Sequence, residues 1–181
     1  KDIENFISQT VCLENLIIVA GGDFELKEFE KLVKPLLETL NVGKKAQLEE
    51  VNFISKKEEK VLIKDTQQAY IYFGSSFNIN SKDEENYKAK VASFILGGSG
   101  FGSRLMEEIR VKRGLAYSAY GSISINKSHS YFNGYLQTKN ETADEAKKLV
   151  GEIIEDFVKN GVTNDELSAA KNFLTGSEPL R

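Results

Sequence analysis

Two side chains in the stretch LGGSGFGSRLMEEIRVKRGLAY, residues 96–117, have the means to act on a peptide. Arg110 carries a guanidinium whose N–H donors suit carbonyl oxygens, and Tyr117 carries a phenol able to donate to a developing oxyanion. Between them lies Gly114, the expected left-handed stop of a short helix over 103–112, and a strand is expected from 116. Both groups would then project past the same end of a sheet. Simple alternation places Tyr117 on the face of Ala119 and Ile123, so its hydroxyl is free only at the start of the strand or through a bulge near Gly121. The same residue types at this spacing also serve ordinary core and surface packing.

Other chemistries find fewer residues to use. A hydrolytic zinc site needs about three converging ligands, and the chain has one histidine, His129, at an expected hairpin tip. A Ser-His-Asp arrangement has only that histidine to draw on. GGSGFGS has the glycines of a phosphate loop, but such a loop follows a strand, whereas a helical pattern leads into Gly97. The run is expected as a flexible or tightly turning connector between two helices. Lys and Arg number 24 against 27 Asp and Glu, evenly mixed, with a net charge of -3, so no basic stripe exists for nucleic acid. Cys12 has no partner for an internal disulfide and reads as a small buried hydrophobe. No apolar run approaches the roughly 18 residues of a membrane span, and cytoplasmic and periplasmic locations both fit.

The elements that must position Arg110 and Tyr117 follow from periodicity. NLIIVA, residues 15–20, is expected as a buried strand, followed by a helix capped by Asp23, kinked or broken at Pro35 and ended by Asn41 and Gly43. A charged connector runs over 43–65, with a short strand at 61–63. QAYIYFGSS alternates as a strand, and Ser81 with Glu84 is expected to cap a helix that leads into the glycines. Residues 116–125 and 130–138 read as a hairpin, and Thr142 with Glu145 and Thr163 with Glu166 as two further capping boxes. The sum is an α+β fold with one mostly antiparallel sheet of about four strands and helices packed on one face. Tyr70, Tyr72, Tyr120, Tyr131 and Tyr135 fall on the polar side of their strands. They read equally well as an interaction wall and as cross-strand pairs on a solvated face.

LGGSGFGSRLMEEIRVKRGLAYSAY resembles the second-half signature of the insulinase/pitrilysin family, zinc peptidases with an inverted His-x-x-Glu-His motif that include processing peptidase. Ser103-Arg104-Leu105, Glu108-Ile109-Arg110 and Gly114-Leu115-Ala116-Tyr117 all match, and Gly102 departs from a common serine. NLIIVAGGDF is similar to the strand-turn-helix that closes the family's first half. The resemblance implies residues 1–42 as the terminal strand-helix of a preceding half-domain. It also implies 43–65 as linker and 66–181 as a second-half peptidase domain truncated at its C-terminus. It implies that Arg110 holds the carbonyls of an unstructured peptide substrate and that Tyr117 stabilises the oxyanion. Zinc is implied in the intact enzyme and none on this chain, which lacks the His-x-x-Glu-His motif. The implied partner is a zinc-binding half-domain, in the same polypeptide or another subunit, without which this half is inactive. The alternative is a non-catalytic structural or assembly subunit of the same fold. Residues 15–20 are further expected to pair with the sheet formed by residues 68–138.

Overall fold

A computed structural model describes residues 1–49, 51 and 56–177. The chain divides into two compact units, Lys1–Glu49 and Glu50–Arg181.

The first unit holds two helices, α1 (Asp2–Thr10) and α2 (Leu26–Glu38), with a 3-10 turn over Leu13–Asn15. Its centre is Cys12, buried beside Gly43. A Cβ on Gly43 would stand 2.3 Å from the Cys12 sulfur, and Gly43 has φ +64, so both space and backbone demand glycine there. Backbone bonds from Leu13 to Asn41 and from Glu14 to Val42 close the unit.

Several expectations fail here. Pro35 lies inside α2, and the helix continues through it to Glu38, losing one backbone donor without ending. Its start is at Leu26, with no side-chain cap from Asp23. Residues 16–20 form no strand, because a strand exists only as one side of a ladder and Lys1–Glu49 offers no second one among the described residues. Ile17 and Val19 are exposed. Helix α1 has no counterpart in the sequence reading.

The second unit is built on β1 (Gln68–Phe77), β2 (Ala116–Ile125) and β3 (Ser130–Lys139), antiparallel and ordered β1-β3-β2. Three strands stand where about four were expected. Residues 16–20 and 61–63 are outside any strand. Alternation sends Ile71, Phe73, Ile123, Phe132 and Leu136 inward and Tyr70, Tyr72 and Tyr120 outward. Against the inward face pack Leu96, Leu105 and Ile109 from the segment between β1 and β2, and Leu149, Val150 and Ile153 from α4 (Ala143–Asn160). This is the α+β layer with helices on one face.

Helix α3 (Asn86–Ser93) starts five residues after Ser81, since Asn80 and Asp83 close a turn on each other and no side chain caps the helix. It runs into a π-turn over Phe94–Gly98, and a second π-turn covers Met106–Val111. Thr142 caps nothing, because its hydroxyl is engaged by Thr138 and Lys139. The Thr163–Glu166 box forms: the Thr163 N–H donates to the Glu166 carboxylate (2.7 Å) and the Glu166 N–H to the Thr163 hydroxyl (3.2 Å), opening α5 (Asn164–Ser177).

Candidate functional site

The glycine run explains how the second π-turn comes to lie against β2. A Cβ on Gly97 would meet the Gly121 backbone nitrogen at 2.4 Å, so the end of the first π-turn sits directly on the strand's main chain. Gly100 (φ +66) and Gly102 (φ +99) then reverse the chain through conformations that side chains resist, and present Phe101 between them, 68% exposed. Ser103, fully buried, donates its hydroxyl back to the Gly100 carbonyl at 2.8 Å.

From there Leu105 and Ile109 anchor the turn in the core, and Arg110 lies on its half-buried flank. Gly114 (φ +62) ends it, with its N–H bonded to the Arg110 carbonyl and the next N–H to that of Ile109. The chain enters β2 at Ala116, whose Cα partner is Thr138, while that of Ala119 is Leu136. Three residues of β2 therefore advance against two of β3, a bulge that sets Tyr117 and Ser118 together opposite Gln137. The bulge lies at Tyr117 itself and not near Gly121. It turns Tyr117 out of the core, 81% exposed, against its alternation with Ala119. Two bonds brace it: Thr138 donates to the Leu115 carbonyl at 2.5 Å, and the Ala119 N–H donates to the Met106 sulfur at 3.3 Å.

Arg110 and Tyr117 meet. The guanidinium carbon lies 4.4 Å from the centroid of the Tyr117 ring and 4.5 Å from that of Phe101. Cation–π attraction holds the group in place without using its N–H donors. Among the described residues, the Arg110 side chain makes no hydrogen bond or ion pair, unlike those of its basic neighbours. Lys112 and Arg113 both bind Glu108, at 2.6 and 2.7 Å, and those bonds lower the Glu108 pKa. Arg104 binds Glu166 (2.5 and 2.8 Å), Asp156 (3.1 Å) and the Gly161 carbonyl (2.7 Å). Arg110 is thus the cation of this signature left open to an incoming acceptor.

Arg104 serves the scaffold. It ties the π-turn to α4 and to the capping box of α5, and its hydrogen bonds hold the Glu166 carboxyl down at about 2 against the desolvation cost of burial. Sequence reasoning placed Arg104 in the signature without a role and missed Phe101 altogether. The signal for Phe101 was its position between two glycines, where an exposed aromatic has no packing reason to be. A groove of about 680 Å³ on the helix side, lined by Arg104, Glu108, Lys112, Arg113 and Glu166, contains neither Arg110 nor Tyr117. Those five charged groups are already paired with one another or with Asp156, and we place the site at the stack.

Outward from the bulge, Tyr72, Tyr135 and Tyr120 occupy one row across all three strands. Tyr135 lies 4.9 Å from Tyr72 and 6.4 Å from Tyr70, ring centroid to centroid. His129 sits at the hairpin tip, stacked on Tyr131 and bonded to Ser128. Among the described residues no group of three His, Cys, Asp or Glu is arranged to hold a metal, so the residues present do not fit a zinc centre. No described helix is long and apolar enough to cross a membrane.

A family profile described as the peptidase M16 inactive domain matches residues 1–174. A Helicobacter pylori protein named as a non-peptidase homolog, YmxG, is 43% identical over 99% of this chain, which covers 41% of that relative. An uncharacterised zinc protease of Streptomyces coelicolor is 32% identical over 64% of this chain and 25% of its own length. The crystal structure of a peptidase M16 inactive domain from Pseudomonas fluorescens superposes with a TM-score of 0.84 at 28% identity, over 97% of this chain and 42% of that one. This chain therefore spans less than half the length of these relatives. It belongs to the peptidase M16 inactive-domain family, the second-half domain of the insulinase-type peptidases that its glycine-to-tyrosine signature resembles.

Proposed function

We propose that this domain is the substrate-binding half of a zinc-dependent metalloendopeptidase, with Arg110 gripping the backbone carbonyls of an extended peptide and Tyr117 donating to the oxyanion. One observation carries the reading: a half-buried guanidinium lies against two rings, with no protein acceptor among the described residues and an exposed phenol beside it. A side chain kept only for structure would be expected to satisfy its donors internally, as Arg104 does. The metal ligands and the residue that activates water belong to the other half, in the same polypeptide or a partner subunit. This chain's share is to align the peptide and to meet charge as it develops on the carbonyl oxygen.

The Helicobacter relative's name favours a second reading, in which the whole protein binds peptides without cleaving them. Arg110 keeps its role there, and Tyr117 becomes a contact only. Turnover separates the two. In the full-length protein, or with its zinc-bearing partner, unstructured peptides should be cleaved, and Tyr117→Phe and Arg110→Ala should each suppress cleavage. Binding without cleavage under every metal loading favours the second reading, and cleavage unchanged by both substitutions removes the proposed roles.

A further inference from the structure

The three strands of the sheet contain one charged residue, Lys139, at the very end of β3, in a chain where 28% of residues are charged. The solvated face of an antiparallel sheet ordinarily alternates to polar and charged side chains. This one carries tyrosines instead, with Tyr72 76% and Tyr120 45% exposed. Tyr72, Tyr135 and Tyr120 form a continuous row, two residues along β3 from Gln137, which the Tyr117 bulge faces.

The central ring of the row is held. The Tyr135 hydroxyl donates to the Gln137 side-chain oxygen at 3.0 Å, and the Gln137 amide reaches the Tyr70 hydroxyl and the Gln68 side chain. The Tyr135 ring, fixed in this way, loses little freedom when something stacks on it. The wall offers no charge to pair with an acidic or basic side chain, and it offers ring faces and edges to an aromatic one.

We infer that Tyr72, Tyr120 and Tyr135 form a subsite that takes an aromatic or large apolar side chain of the peptide held at Arg110. This rests on the reading that Arg110 and Tyr117 bind peptide backbone. A peptide whose carbonyls meet Arg110 and whose chain continues over the sheet lays its next side chains on this row. The continuity between bulge and row argues for a peptide as occupant in preference to a second copy of the chain.

The test uses the full-length protein and a short unstructured peptide carrying Phe, Leu, Ala or Glu at each position in turn, with binding read by fluorescence anisotropy. At one position the Phe peptide should bind best and the Glu peptide no better than the Ala peptide. Tyr72→Ser and Tyr120→Ser should each shrink the Phe-over-Ala preference by roughly two- to tenfold. Tyr72→Phe should retain it, since the ring remains. Thermal unfolding of the variants checks folding. A Phe preference that survives both serine variants, or no preference at any position, overturns the subsite even where Arg110→Ala abolishes binding. That pattern would also be expected if a second copy or the rest of the protein covers the face. Binding indifferent to Arg110→Ala sinks the underlying reading instead.

Discussion

The guanidinium carbon of Arg110 lies over the rings of Tyr117 and Phe101, with centroids 4.4 and 4.5 Å away, while its N–H donors meet no acceptor among the described residues. Tyr117 reaches this position because of a bulge at its own place in β2, and Phe101 because of two left-handed glycines. Distortions in two separate segments of the second unit thus converge on one cation.

Replacing Arg110 by lysine keeps the charge and loses the planar fork and most of the stacking. Peptide affinity of Arg110→Lys should fall about tenfold, measured by titration of a labelled peptide into the full-length protein. An affinity equal to wild type would mean that charge alone matters there.

Tyr117→Phe keeps the ring over Arg110 and removes only the hydroxyl. Peptide binding should change less than about twofold, while cleavage falls by about 100- to 1,000-fold, the usual cost of losing one oxyanion donor. Steady-state kinetics beside a binding titration separate the two effects.

Phe101→Ala removes one of the two rings that orient the guanidinium. Because Phe101 is 68% exposed, its loss should leave the thermal midpoint within about 2 °C. Peptide affinity should drop roughly two- to fivefold, the scale of an exposed cation–π contact. Unchanged affinity would show that Tyr117 orients the cation unaided.

The ion pair of Arg104 with Glu166 makes stability depend on acid. The Glu166 pKa is lowered from 4.5 to about 2, first by its hydrogen bond to Arg104. The folded state therefore binds this proton less readily than the unfolded chain. Its contribution is complete above pH 4.5 and is lost as pH falls from there toward about 2. Denaturant unfolding across that window should show Glu166→Gln less stable than wild type at pH 7, by about 1–3 kcal/mol, with the gap closing toward pH 2. A gap independent of pH would assign the effect to packing.

Gly97→Ala places a methyl where 2.4 Å separates it from the Gly121 nitrogen. Backbone cannot yield as a side-chain tip can, so destabilisation of at least about 1–3 kcal/mol is expected. Gly151→Ala, with open space around its position, provides the contrast in calorimetry.

Patterns carried by local chemistry were readable from residue order alone. The hairpin around His129, the left-handed stop at Gly114, the Thr163 capping box and the parity of the tyrosines all rest on neighbours within a few positions. Features decided by distant partners were not. NLIIVA has a β-branched apolar run and no ladder to join among the described residues of its own unit, α2 tolerates Pro35, and Thr142 spends its hydroxyl on Thr138 instead of on a helix end. The bulge at Tyr117 is equally invisible, since alternation counts residues on one strand and a bulge is a mismatch between two. It is also the feature on which the candidate site depends.

The most direct measurement is the dissociation constant of an unstructured peptide for the full-length protein and for Arg110→Ala, with unfolding curves confirming that both are folded. At least tenfold weaker binding by the variant is predicted, because the peptide carbonyls lose the donors that hold them. Equal dissociation constants would contradict the account.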